Sequence, residues 1–161
     1  MNSRLNDPLP FARGFWELVV YQRARNLQRR VFEVSKTFPR EEAYSLTDQI
    51  RRAARSIGAQ IAEAWGKRAY QKHFVSKLSD AISECNETQH WIMSAVDDGY
   101  IAKEAGRELW NLCLEVGRML STISDRADEF CQNSVSTRVR EDSEDIFTRV
   151  PPPCDEPLTN Y

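Results

Sequence analysis

The strongest constraint on this chain is the spacing of its apolar residues. Val20, Ala24, Leu27, Val31, Val34 and Phe38 follow one another at intervals of 4, 3, 4, 3 and 4. That rhythm places all six on one side of an α-helix and on no single side of a strand. The spacing predicts a first helix over 14–37, stopped by Pro39. Leu46, Ile50, Ala53, Ile57, Ile61 and Ala64 predict a second from Ser45 to Trp65, with Gly66 as its C-terminal cap. Phe74, Leu78, Ala81, Cys85, Thr88, Ile92 and Ala95 predict a third over 70–97. Ala105, Leu109, Leu112, Val116, Leu120, Ile123 and Ala127 predict a fourth over 102–128, after a turn at Gly99.

Four helices of similar length with short connections pack as antiparallel neighbours, each hiding one stripe in a shared core. The expected fold is therefore all-α, an up-down-up-down four-helix bundle over 14–130. A short arm, 1–13, precedes it. From Glu129 onward the chain holds 7 acids and 3 bases, and four of its 7 prolines lie after residue 150. Such a segment buries too little apolar surface to offset the entropy of ordering it, so 131–161 is expected to be a flexible acidic tail in which 145–150 docks on a partner or forms a short helix in a complex.

Several chemistries lack their residues. No two of Cys85, Cys113, Cys131 and Cys154 form a CxxC pair, and His73 and His90 are the only histidines. Glu87 and His90 make one E-x-x-H, whereas a di-iron bundle needs two such motifs and two further glutamates. No glycine-rich phosphate loop or nucleophile elbow is present. We therefore expect no catalysis, metal or cofactor. No apolar run approaches the roughly 20 residues of a membrane span, and MNSRLNDPLP lacks the apolar core of a signal peptide. A cytoplasmic location with free thiols follows as the expectation.

The charge is split. Residues 1–77 carry 15 Lys/Arg against 7 Asp/Glu, and residues 78–161 carry 7 against 17. Either the basic half faces a polyanion, or the halves neutralise each other across helix or subunit contacts. Arg51, Arg52 and Arg55 lie along one flank of the second helix. The third carries the ladder His73, Lys77, Asp80, Glu84, Glu87 and Trp91, whose stacked carboxylates need cations opposite. The arginines either answer that ladder or form a phosphate-holding surface extended by Lys67, Arg68, Lys72 and Lys77, which have few local acids. On the first helix Leu18, Tyr21 and Phe32, with Arg25 and Arg29 among them, read as an oligomer interface rather than scattered surface residues.

The run EAYSLTDQIRRAARSIGAQIAEAWGKR, residues 42–68, resembles the central signature of bacterial four-helix bundle proteins encoded within intervening sequences of large-subunit ribosomal RNA genes. Glu42, Tyr44, Leu46, Gln49, Ile50, Arg51, Arg52, Ala53, Ser56, Ile57, Ile61, Ala62, Glu63, Gly66 and Lys67 fill its pattern. A second block, FVSKLSDAISECNETQHWI, is similar to the third helix of one subfamily at Phe74, Lys77, Leu78, Asp80, Ala81, Glu84, Glu87, Thr88, Trp91 and Ile92. The resemblance spans about 16–125. It implies a cytoplasmic ring of five. It also implies kinship with the accessory variability determinant of diversity-generating retroelements, a barrel-like pentamer that binds nucleic acid and contacts a reverse transcriptase. On that basis Arg51 and Arg52 take structural roles, at an oligomer interface with Leu18, Tyr21 and Phe32. Arg25, Arg29, Arg55, Lys67, Arg68 and Lys72 become the nucleic-acid-binding candidates. The expected function is that of a homopentameric accessory factor that binds RNA or DNA; the alternative is a protein-interaction scaffold, for example a partner of a reverse transcriptase.

Overall fold

The computed structural model describes residues 12–131. Nearly all of the predicted arm, and the tail from residue 132, lie outside the described residues. A 3-10 turn, Phe15–Glu17, leads into α1, Val19–Ser35; then come α2, Leu46–Lys67; α3, Gln71–Asp97; α4, Lys103–Asp125; and a short α5, Ala127–Cys131. Helix α1 packs on α2 and α4, and α3 packs on α2 and α4, while the backbones of the diagonal pairs stay apart. This is the square, antiparallel four-helix bundle that the spacing predicts.

The predicted stripes form the core. Leu27, Val31, Ile50, Ile57, Leu120 and Ala81 are wholly buried, and every predicted stripe residue of α2 and α3 is inside. Burying each large aliphatic side chain contributes about 1.5–3 kcal/mol, so the shared interior dominates the stability. Val34, Ala105 and Ile123 are only partly covered. Gly106 and Cys113 of α4 are buried as well. Gly106 is there for space: a Cβ at that position would lie 2.5 Å from Val96 Cγ2.

Helix boundaries differ from the prediction where side chains reach back onto the backbone. The first helix begins at Val19 rather than 14, because Gly14 and Leu18 are extended and the Trp16 ring covers Gly14. It ends at Ser35, where the Ser35 and Thr37 hydroxyls donate to the carbonyls of Phe32 and Val34 at 3.0 and 2.8 Å. Gly66 does not cap α2; the helix runs through it, and Arg68 donates to the Trp65 carbonyl at 2.6 Å. The fourth predicted helix breaks at Arg126, which lets α5 fold back so that Phe130 stacks on Phe74 with ring centroids 6.0 Å apart. Cys131 therefore ends a helix instead of opening the tail. Gly99 has φ 75°, the left-handed turn expected between α3 and α4.

One acid of the signature has a clear local task. The Glu42 carboxylate accepts the Leu46 N–H at 3.2 Å, the Ser45 hydroxyl, and the Tyr100 hydroxyl at 3.2 Å. It thus caps α2 and ties its start to the α3–α4 turn. The Ser45 hydrogen bond first, then that of Leu46, lowers its pKa from the ordinary glutamate value. A depressed carboxylate stabilises the folded chain above its unfolded pKa and loses that contribution as pH falls through the folded value. We expect Glu42→Gln to lower the melting temperature at pH 7, with the difference from wild type shrinking steadily below pH 4.5. A difference independent of pH would show that the carboxylate charge has no part in the cap.

Candidate nucleic-acid interface

The arginines of α1 and α2 divide by the side of the helix from which they project. Towards α4, Arg23 pairs with Glu115 at 3.1 Å and Arg30 with Glu108 at 2.6 Å. These two are neutralised inside the protomer. On the α2 side, Arg51 donates from Nε to the Ser35 hydroxyl at 2.7 Å, and its guanidinium lies 4.9 Å from the Phe32 ring centroid. Ser35 in turn donates to the Phe32 carbonyl. Arg51 therefore closes the C-terminal end of α1, a structural role within one chain.

The expected flank of Arg51, Arg52 and Arg55 does not hold together as one unit. Consecutive helical residues project about 100° apart, and here they serve different neighbours. Arg51 reaches α1, whereas Arg52 lies 3.8 Å from Asp48. Burial, and then the charge of Glu87, raise the pKa of Glu84 on α3; Arg52 opposes them. The acidic ladder draws its main cation from its own helix. Lys77 contacts Glu63 at 2.9 Å and Asp80 at 3.3 Å, so it is not a spare charge of the basic junction. Its hydrogen bonds to Glu63 and then Asp80 raise its pKa. Glu87 accepts the Trp91 indole N–H at 3.1 Å, and His90 packs edge-on against Trp91 at 4.7 Å. No cluster of three metal-ligating side chains occurs among the described residues.

Arg25, Arg29 and Arg55 have no acidic partner among the described residues. The α1–α2 seam is pinned at one end by Arg51 against Ser35 and at the other by Tyr21 beside Gly58, where a Cβ would lie 3.6 Å from the ring. Arg25 and Arg29 lie between those points on α1, and Arg55 lies between them on α2. The Arg29 Nε is shielded from solvent yet has no hydrogen-bond acceptor among the described residues. Lys67 and Lys72 are exposed, without acidic partners among the described residues, at the α2–α3 junction. Twelve residues of α2 separate Lys67 from Arg55, about 18 Å along the axis. The six predicted binding residues thus form two groups rather than one strip. Arg68 belongs to the second by position but is engaged: its guanidinium lies 3.9 Å from the Trp65 ring, and burial lowers its pKa against the opposing pull of Cys131.

Of the predicted interface residues, Leu18 and Tyr21 are partly buried against the protomer's own core, and Tyr21 meets Phe15 edge-on at 4.9 Å. Phe32 is exposed, between Lys36 and Arg51.

Residues 16–122 match the family described as 23S rRNA-intervening sequence protein. The chain belongs to this 23S rRNA-intervening sequence protein family. A crystal structure of a protein of unknown function from the S23 ribosomal protein family of Bacteroides thetaiotaomicron is similar to it at 29% identity and TM-score 0.60, over 66% of this chain and 98% of that one. A search of curated proteins found no match. The intervening-sequence family match spans all of α1, α2 and α3 and most of α4, so the basic α1–α2 face lies within it. No helix among the described residues is long and apolar enough to cross a membrane.

Cys85 and Cys113 sit side by side in the core between α3 and α4. Burial, with a smaller push from Glu84, raises the Cys85 thiol to about 12, and burial raises Cys113 further. Both stay protonated at neutral pH, and the thiolate is the reactive form. We expect neither to react with iodoacetamide in the folded protein, and both to react once it is unfolded in urea. Native-state labelling at Cys85 or Cys113, mapped by peptide mass, would contradict this packing role.

Proposed function

We propose that this chain is a non-catalytic, homo-oligomeric accessory factor that binds RNA or DNA through the basic face of α1 and α2. One observation carries the reading: Arg23 and Arg30 are consumed by Glu115 and Glu108, while Arg25, Arg29 and Arg55 on the neighbouring face are left without acids among the described residues. Charge that is not needed inside the protomer is available for phosphates. Lys67 and Lys72 offer a second contact about 18 Å further along α2. Two separated basic groups suit a backbone tracked by charge rather than a base read by shape.

One such face binds weakly. Several copies in a ring, five by the family resemblance, raise the effective affinity without any new kind of contact. The exposed Phe32, with the partly covered Leu18 and Tyr21, provides the apolar part of the self-contact, with Arg51 at its polar edge. A relation to retroelement accessory proteins, with a reverse transcriptase as partner, is the second reading. A mobility-shift series with duplex DNA and with structured RNA, run from about 50 to 300 mM salt, separates the two. Binding that weakens steeply with salt and little with sequence supports the first. No shift at the lowest salt removes it.

A further inference from the structure

The outer side of the α3–α4 seam is open. Two shallow cavities, of about 240 and 410 Å³, follow one another along it. Met93, Val96 and Trp110 line the upper, and Ile82, Gln89 and Leu114 the lower. Met93 is 52% exposed. The rim is basic: Lys103 and Arg107 border the upper cavity and Arg118 the lower, against the single acid Asp97. None of the three cations has an acidic partner among the described residues. The reason is geometric, because the α4 acids Glu108 and Glu115 point away, to the arginines of α1. In the lower cavity the Gln89 Nε2 is buried with no acceptor among the described residues, which leaves a donor for a carbonyl or carboxylate from outside. The seam therefore suits a chain segment with carboxylates at its start, apolar side chains after them, and backbone carbonyls throughout.

We propose that residues 141–150 of this same chain, EDSEDIFTRV, dock along the α3–α4 seam. Glu141, Asp142, Glu144 and Asp145 supply the carboxylates, and Ile146, Phe147 and Val150 the apolar side chains. The chain leaves α5 at Cys131, beside the lower end of the seam, since α5 packs on both α3 and α4. The nine intervening residues span up to about 30 Å when extended. Arg118 lies seven residues before the end of α4, about 10 Å away, and Arg107 about 27 Å away. Both cations are in reach. The tether holds the segment at an effective concentration near the millimolar range, so weak contacts suffice.

The test uses the full chain with Met93→Cys, paired in turn with Ile146→Cys, Phe147→Cys or Val150→Cys, in a Cys131→Ser/Cys154→Ser background. Only the buried Cys85 and Cys113 then remain besides the engineered pair. We expect mild oxidation to give an intramolecular disulfide for at least one pair, identified by its monomer band on a non-reducing gel and by peptide mass, at a rate independent of protein concentration. Adding Arg107→Glu and Arg118→Glu should slow it by about tenfold, as attraction becomes repulsion at two exposed sites. Disulfides that form only between chains would assign the seam to a second copy and overturn the proposal. So would the absence of a bond with all three partners, or a rate unchanged by the charge reversals.

Discussion

Reversing three charges, Arg25→Glu, Arg29→Glu and Arg55→Glu, is expected to weaken binding of the protein to RNA or duplex DNA by about 100-fold at about 100 mM salt. On duplex DNA the slope of log affinity against log salt should become shallower by about 0.9 for each phosphate that no longer meets a cation. The fold should survive, because none of the three has an acidic partner among the described residues. Circular dichroism and light scattering check this directly. The matched control is Arg23→Gln with Arg30→Gln. Those side chains are bonded to Glu115 and Glu108, so their replacement should alter stability slightly and the salt slope hardly at all. Equal weakening of binding in both sets would mean that net charge, not this face, attracts the polyanion. Full retention of binding by the triple variant would end the assignment.

Ile57→Ala should produce the largest drop in stability. Ile57 is wholly buried at the centre of α2, among side chains from the other helices. Truncation removes its transfer free energy and leaves a cavity that four packed helices close only in part, a cost of about 2–5 kcal/mol. In urea the midpoint should fall with little change in slope. Phe32→Ala is the contrast, since Phe32 lies outside the shared core. It should change protomer stability by less than about 1 kcal/mol, while reducing self-association measured by sedimentation. If Phe32→Ala cost as much as Ile57→Ala at a concentration where the protein is fully monomeric, the ring would belong to the protomer core and not to an interface.

The site was less legible than the core, for a reason visible in particular residues. Val20, Ile57 and Leu78 announce themselves by spacing, because only one side of a helix can be apolar and dry. Arginines carry no such signal: Arg23 and Arg25 are two residues apart and equally basic, yet one is bonded across the core edge to Glu115 and the other has no acid among the described residues. Which arginine meets an acid depends on the register of α1 against α4, three helices further along the chain. Lys77 shows the same limit. Grouped with Lys67, Arg68 and Lys72 it looks spare, while Glu63 from α2 and Asp80 one turn on in its own helix bind it. The α3–α4 seam did leave a trace, since Ile82, Gln89, Met93 and Val96 repeat at helical spacing beside the buried stripe. A second stripe of mixed polarity is weak evidence until a neighbouring helix shows it to be a groove.

By itself the sequence determined the four amphipathic helices, the breaks at Pro39 and Gly99, and so the antiparallel bundle. Those follow from local periodicity and from the geometry of short connections, which are properties of contiguous residues. Only the tertiary structure decided that Arg51 closes α1, that Glu42 caps α2, that α5 folds back onto Phe74, and which cations have acids within reach. Each of these depends on distances between elements, and the distances exist only once burial of the shared core has fixed the helices side by side.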